Sequence, residues 1–169
     1  MSDAVFITPA GVEDIPLICR TAGALWPQVY SEILSPEQIS YMMDMMYSPD
    51  VIKQEMESGV FWITAGTEKK MAGYASFYQT EFDGKPVVKL DKIYLVDSFR
   101  GKGAGKKLLF HIIEEAKKLG VDKIILNVNK HNSPALAAYR SWGFTLAKSE
   151  VNDIGNGYVM DDHILALEI

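Results

Sequence analysis

The chain has 169 residues, a length typical of one domain built around a single apolar core. Its 22 acidic residues outnumber its 17 basic residues, and the resulting net charge of −5 argues against binding nucleic acid through a basic surface. A cationic small substrate suits this charge better.

The lone cysteine, Cys19, excludes an internal disulfide, and neither it nor the scattered histidines form a pattern of metal ligands. The first residues, from Met1 to Val5, lack the charged and then apolar pattern of a signal peptide. No apolar run approaches the roughly 20 residues of a membrane span. We therefore expect a cytoplasmic protein with no metal and no membrane partner.

The first third of the chain is predicted to be helical after one short strand over residues 5–8. Apolar residues at helical spacing indicate a helix over residues 12–24. Ser35 followed by Pro36 is a helix start, and the pattern continues through Met46. Pro49 opens another helix, which Gly59 ends.

The apolar period then changes to two, which predicts strands. An antiparallel meander is expected over residues 60–65, 71–80 and 87–96, with turns at 67–70 and 83–86. A helix over 106–119, a strand over 123–128 and a helix over 134–142 follow. A final strand pair over 144–150 and 158–168 is joined by a loop over 152–157.

A glycine-rich run lies between the third strand of the meander and the next helix: Arg100, Gly101, Lys102, Gly103, Ala104 and Gly105. Its glycines let the backbone approach a ligand, and the following helix adds free N–H groups and the positive end of its dipole. The junction therefore suits an anion such as a pyrophosphate. The run matches neither the P-loop nor the dinucleotide fingerprint, and a plain flexible turn is the alternative.

Two blocks carry a family resemblance. The first is Leu90-x-x-Ile93-Tyr94-Leu95-x-x-x-x-Arg100-x-x-Gly103-x-Gly105, followed by Leu108-Leu109. The second is Leu126-x-Val128-x-x-x-Asn132-x-x-Ala135-x-x-x-Tyr139-x-x-x-Gly143-Phe144. Together they resemble the acetyl-CoA motif and the following segment of the GNAT N-acetyltransferase superfamily, closely over residues 60–169 and by general layout before them.

The resemblance implies an α+β fold: a mixed, mostly antiparallel sheet of about seven strands, splayed between strands 4 and 5 and flanked by helices, in one domain over residues 1–169. Acetyl-CoA would lie in the gap as the co-substrate. Ile93, Tyr94 and Leu95 would present backbone groups to the acetyl-pantetheine arm. The pyrophosphate would be held by Arg100, Gly101, Lys102, Gly103, Ala104, Gly105 and Lys106.

In the same family the residue matching Tyr139 is the general acid that protonates the departing CoA thiolate. An ordinary tyrosine is neutral at pH 7 and can donate its proton when the sulfur becomes basic. Asn132 would cap the helix that carries Tyr139 and bind the pantetheine or the thiol. A half-buried packing role is the alternative for Tyr139.

The acceptor ammonium must lose a proton before it attacks, so a carboxylate or a water chain is needed. Candidates are Glu81, Asp91, Asp161 and Asp162. We select Asp91, because it leads into the cofactor segment and the two-residue period places it on the face of Ile93 and Leu95. A surface charge at Asp91, or ordered water as the base, are the alternatives.

The predicted function is transfer of an acetyl group from acetyl-CoA to a primary amine of a small molecule in a ternary complex. A polyamine is the specific candidate, because the helix at Ser35-Pro36-Glu37-Gln38 and the Met160-Asp161-Asp162 strand resemble bacterial polyamine N-acetyltransferases. Asp161 and Asp162 are expected to be exposed near the mouth and to attract the polycation.

Aromatic residues and methionines of the first third are the candidates for an acceptor channel: Trp26, Tyr30, Tyr41, Tyr47, Tyr78, Met42, Met43, Met45 and Met46. The methionines would otherwise pack in the core or on a homodimer face. A peptide or protein N-terminal or lysine acetyltransferase is the alternative enzyme, and a CoA-binding sensor is the alternative without activity.

Overall fold

The computed structural model describes residues 4–169, so the part of the signal-peptide argument that rests on residues 1–3 lies outside it. The strands are β1 (Phe6–Pro9), β2 (Phe61–Gly66), β3 (Met71–Phe82), β4 (Lys85–Leu95), β5 (Lys123–Asn129), β6 (Thr145–Gly155) and β7 (Tyr158–Glu168). The helices are α1 (Ile15–Tyr30), α2 (Pro36–Tyr47), α3 (Pro49–Glu57), α4 (Ala104–Lys118) and α5 (Ser133–Ser141), with short 3₁₀ turns at Val12–Asp14 and Asp97–Phe99.

The strands form one sheet in the order β1-β2-β3-β4-β5-β7-β6. Every neighbouring pair is antiparallel except β4 and β5, which are parallel. The crossover between these two strands contains α4, as a parallel connection requires. This arrangement confirms the predicted fold class.

The helices cover the sheet on two faces. On the α4 face, Leu108 and Ile112 pack against Leu90 and Leu126, together with apolar residues of α5. On the α1 face, residues of α1, α2 and α3 enclose the side chains of Trp62 and Tyr74. The sheet therefore separates two apolar cores.

Two hairpins are tighter than the sequence analysis expected. Asp83 and Gly84 have φ of 51° and 75°, and Asn156 and Gly157 have φ of 55° and 81°. Positive φ at both central residues is the two-residue turn that matches the twist of paired strands. As a result β4 starts at Lys85 and β6 continues to Gly155, instead of ending at Glu150.

Helix α1 runs through Pro27 and ends at Tyr30, beyond the predicted end at Ala24. The extension buries Trp26 and Tyr30, which continue the apolar stripe of Ala22. Tertiary packing therefore outweighs the loss of one backbone hydrogen bond at the proline. None of the helices in residues 4–169 is both long and apolar enough to cross a membrane.

Candidate active site

A cleft of about 1300 Å³ opens where β4 and β5 part. The two strands pair only from Val88 to Leu90 on β4 and from Ile124 to Leu126 on β5. Beyond this point β4 carries a bulge: Leu90 faces Phe77 and Lys92 faces Ser76, which leaves Asp91 without a partner on β3. The bulge and the short parallel pairing together produce the gap that the family resemblance predicts.

The cleft brings together the residues predicted from the two sequence blocks. Its walls include Asp91, Ile93, Tyr94, Leu95, Arg100, Gly101, Gly103, Gly105, Lys106, Asn132 and Tyr139. Lys102 of the loop and Ala104, the first residue of α4, are not among the residues that line the cleft.

The glycines of the loop have two different roles. Gly101 and Gly103 have φ of 73° and 85°, a left-handed conformation that favours glycine. Gly105 has no such constraint, but an added Cβ would lie 2.9 Å from the Trp142 ring. Gly105 therefore lets α4 approach α5 closely, whereas Gly101 and Gly103 shape the loop itself.

The start of α4 can bind an anion. Gly103 is the N-cap residue, and the first helical bond runs from the Lys107 N–H to the Gly103 carbonyl at 3.1 Å. The N–H groups of Ala104, Gly105 and Lys106 precede that bond, so they have no acceptor within the helix. Arg100 and Lys106 add positive charge at the cleft, although Asp97 lies 3.6 Å from the Arg100 guanidinium.

Helix α5 presents Tyr139 to the same cleft. Asn132 is its N-cap residue, and the Asn132 side-chain oxygen accepts from the Ala135 N–H at 3.3 Å, as predicted. The Tyr139 ring packs edge-on against Trp142 and Phe144, each at 5.8 Å between ring centroids. Burial raises the pKa of Tyr139, so the phenol keeps its proton at neutral pH.

Tyrosine hydroxyl groups pair between elements on the α1 face. The Tyr30 and Tyr94 hydroxyls are 2.8 Å apart, and the Tyr74 hydroxyl donates to that of Tyr47 at 2.8 Å. Burial is the main reason that the pKa of Tyr30 is raised. The charge of Asp162 raises this pKa further, whereas Tyr94 and Asn132 lower it. Through the Tyr94 hydroxyl, Tyr30 links α1 to β4.

Only part of the predicted acceptor channel is found. Trp26, Tyr30, Met42, Met45 and Met46 line the cleft, as expected. Tyr41, Tyr47, Tyr78 and Met43 do not line it. Tyr47 is instead buried in the α1-face core, where its hydroxyl accepts from Trp26 Nε1 at 3.1 Å.

The two-residue period misplaces Asp91. Ile93 and Leu95 pack on the α4 face, whereas the Asp91 carboxylate bonds Lys92 Nζ at 2.7 Å. That nitrogen lies 5.2 Å from the centroid of the Trp62 ring, which belongs to the α1-face core. The bulge shifts the alternation by one residue, so the prediction that Asp91 shares a face with Ile93 and Leu95 is wrong.

Sequence reasoning missed a charged cluster beside Asp91. Lys92 is 3% exposed, and its Nζ lies 3.7 Å from the Glu55 carboxylate of α3. Trp62 Nε1 donates to Glu55 at 3.0 Å. Burial raises the pKa of Glu55 and Lys92 opposes the shift. The sequence signal for this cluster was Lys92, a lysine at a strand position between Leu90 and Tyr94.

The expectation of two exposed aspartates at the mouth is also wrong. Asp161 forms an ion pair with Lys130 at 2.7 Å and does not line the cleft. Asp162 does line it, but the residue is 3% exposed. Successive residues of β7 point to opposite faces, so two neighbouring aspartates cannot share the cleft.

A mixed sheet that splays at one parallel pair, with a helix N-terminus at the gap, defines an acyl-CoA transferase type of fold. The model of the acetyltransferase (GNAT) family matches residues 26–144, and the chain belongs to this family. The match confirms the family predicted from the two sequence blocks, which is a family of acetyltransferases.

The chain is similar to the mycothiol acetyltransferase of Corynebacterium glutamicum, with 26% identity over 147 residues, which are 86% of this chain and 49% of that one. It spans about half the length of several curated relatives that it matches.

Solved structures with the same fold include the PaiA N-acetyltransferase of Thermoplasma acidophilum in complex with coenzyme A (TM-score 0.82, 21% identity, 98% of this chain and 99% of that chain). The ribosomal-protein-S18-alanine N-acetyltransferase of Escherichia coli also shares it (TM-score 0.70, 23% identity, 98% and 94%).

Proposed function

We propose that this chain is a single-domain, acetyl-CoA-dependent N-acetyltransferase that acetylates a primary amine of a small molecule by direct transfer in a ternary complex. The observation that carries the proposal is the cleft at the β4–β5 gap. There the anion-binding start of α4, the bulged strand and the Tyr139 phenol converge.

The cofactor side of the cleft fits the pyrophosphate and pantetheine of acetyl-CoA. The left-handed glycines at 101 and 103 turn the loop toward the free N–H groups of α4. Lys102 and Ala104 would contribute backbone N–H groups, since neither residue lines the cleft. The residues after the bulge, Ile93 to Leu95, would present backbone groups to the acetyl-pantetheine arm.

We assign Tyr139 as the general acid. The amine nitrogen attacks the thioester carbonyl, the carbon–sulfur bond breaks, and the thiolate takes the phenolic proton. The raised pKa of Tyr139 holds that proton until charge develops on sulfur. Asp91, the base predicted from sequence, lines the cleft, but its carboxylate already bonds Lys92 Nζ at 2.7 Å.

The acceptor side favours a small amine over a peptide. Gln38 Nε2 donates to the Val159 carbonyl at 2.8 Å, and the Tyr41 hydroxyl donates to the Ile154 carbonyl at 2.6 Å. These bonds tie α2 to the β6–β7 hairpin across the cleft, where a peptide acceptor would need an open groove. A polyamine is our specific candidate, because the acids that line the cleft would attract a polycation. We place the reaction in the cytoplasm.

A thiol-release assay with acetyl-CoA tests the function. The panel contains spermidine, butylamine, amino acids and peptides with free N-termini, each also measured without acetyl-CoA. We expect thiol release with small amines, and loss of most of it in Tyr139→Phe. Release only with peptides would support the peptide alternative. Binding of CoA without release for any amine would support the sensor.

A further inference from the structure

Asp162 is a buried carboxylate without a cationic partner in the wall of the cleft. The residue is 3% exposed and lines the cavity from β7. Among residues 4–169, no lysine, arginine or histidine nitrogen forms an ion pair with it. An ionised carboxylate in such a place is costly unless a cation or good hydrogen bonds compensate it.

The neighbouring groups compensate it weakly. Asn127 Nδ2 donates to its Oδ2 at 3.4 Å, but makes the shorter bond, 3.0 Å, to Glu150. Charged groups on three strands influence Asp162: Lys89 on β4, Glu150 on β6 and its chain neighbour Asp161 on β7. Tyr30 faces it from α1. Two of the three charges are negative, and Lys89 is beyond ion-pair distance.

The acids on the opposite wall of the cleft differ from Asp162 because they have a cationic partner. Asp91 and Glu55 both approach Lys92 Nζ, at 2.7 Å and 3.7 Å, so each already has a cation. Asp162 pairs in register with Asn129 at the end of β5, directly before the segment that leads to Asn132 and Tyr139. Its unmatched charge therefore lies in the cleft wall at the end of β5, rather than exposed at the mouth.

We propose that Asp162 binds the ammonium group of the acceptor and takes its first proton. This inference rests on the proposed function. One N–H proton of the ammonium moves to the carboxylate, and the free amine attacks the thioester carbon. The carbon–sulfur bond breaks and Tyr139 protonates sulfur. As the amide forms, the second proton of the nitrogen restores the Tyr139 phenol, directly or through water, and Asp162 releases the first proton to solvent. One net proton leaves to solvent, and the ligand class is a primary alkylammonium.

Thermal unfolding without ligand gives the first test. Burial raises the pKa of Asp162, so the folded state is favoured when this carboxyl is protonated and loses that advantage as the pH rises through the raised pKa. Asp162→Asn should therefore raise Tm by a few degrees at pH 7 to 8. The gain should fade as the pH falls toward about 4, near the unfolded aspartate pKa. Asp161→Asn is the matched control, without such a gain.

Cation binding gives the second test and needs no turnover. In protein saturated with CoA, spermidine should raise Tm of the wild type and of Asp161→Asn, but not of Asp162→Asn. All three proteins should keep the shift caused by CoA. Asp162→Glu, which keeps the charge, should retain the spermidine shift. The proposal is overturned if spermidine does not raise Tm of the wild type, or if it raises Tm of Asp162→Asn.

Turnover gives the third test. With spermidine as acceptor, kcat/KM of Asp162→Asn should fall by about 10²-fold, in the range for general bases, and the acidic limb of its pH profile should disappear. Asp91→Asn is the comparison. If kcat/KM falls in Asp91→Asn but is unchanged in Asp162→Asn, the inference is overturned. If the wild type acetylates no amine while the first two tests hold, the proposed function fails and the cation site stands.

Discussion

The two sides of the cleft are built in different ways. The cofactor side, which we define as residues 93–106 with 132–139, comes from two continuous segments. The first runs from the end of β4 to the start of α4, and the second is the N-cap and first two turns of α5. The acceptor side, which we define as the cleft-lining residues of α1, α2, α3 and the β6–β7 hairpin, combines the first third of the chain with its last strand pair. Gln38 and Val159, for example, are 121 positions apart in the chain.

The difference shows what each side depends on. Backbone conformation shapes the cofactor side, at Gly101, Gly103 and the free N–H groups of α4. Side-chain contacts between distant elements shape the acceptor side, such as Tyr30 with Tyr94 and Lys92 with Glu55. A backbone change should therefore abolish cofactor binding, whereas acceptor-side changes should have graded effects.

The largest expected effect is on the cofactor side. Gly103→Glu should abolish the thermal shift caused by acetyl-CoA and all thiol release, because its carboxylate would repel the pyrophosphate at the start of α4. Gly120→Glu is a matched control: Gly120 also has positive φ, 78°, and open space around an added Cβ. It should lose similar stability but still bind acetyl-CoA. Equal binding by both variants would contradict the assigned site.

The next effect is on stability and concerns the acceptor side. Lys92→Met should lower the free energy of unfolding by about 3 kcal/mol at pH 7, because it leaves Asp91 and Glu55 without their cation. The loss should shrink at acidic pH, because burial raises the pKa of Glu55 and protonation removes the charge that Lys92 compensates. Denaturant unfolding at pH 7 and pH 5 measures it, with Lys89→Met as the control. An undiminished loss at pH 5 would point to packing instead of charge.

Tyr139→Phe should lower kcat by about 10²-fold while the acetyl-CoA affinity changes little, since only the phenolic proton is removed. Steady-state kinetics and the acetyl-CoA thermal shift separate the two quantities. Tyr78→Phe is the control, a half-buried tyrosine on β3 that does not line the cleft. Unchanged kcat in Tyr139→Phe would mean that another group protonates the thiolate.

The smallest expected effect tests the bridge over the acceptor side. Tyr41→Phe removes the bond to the Ile154 carbonyl, worth about 1 kcal/mol, and should raise KM for the amine roughly 5-fold without changing KM for acetyl-CoA. Tyr158→Phe, whose ring lies 5.3 Å from that of Tyr41, is the control. A matching rise in both KM values would show that the two sides are not separable in this way.

Much of the fold was predictable because its signals are local. The Ser35 cap, the periodic helices and the alternation of the meander each depend on a few neighbouring residues. The errors have local causes as well. The Asp83-Gly84 and Asn156-Gly157 turns take only two residues each, and the strands extend further than a loop of usual length would allow.

The sequence by itself determined the elements, the family and the segments of the cofactor side, because strand ends, glycines and caps act on the backbone within a few residues. Only the tertiary structure decided the acceptor side. The bulge at Asp91 turned one carboxylate toward Lys92, and the pleat of β7 directed Asp162 into the cleft and Asp161 toward Lys130. Charge pairing depends on which distant elements meet, and no spacing along the chain specifies that.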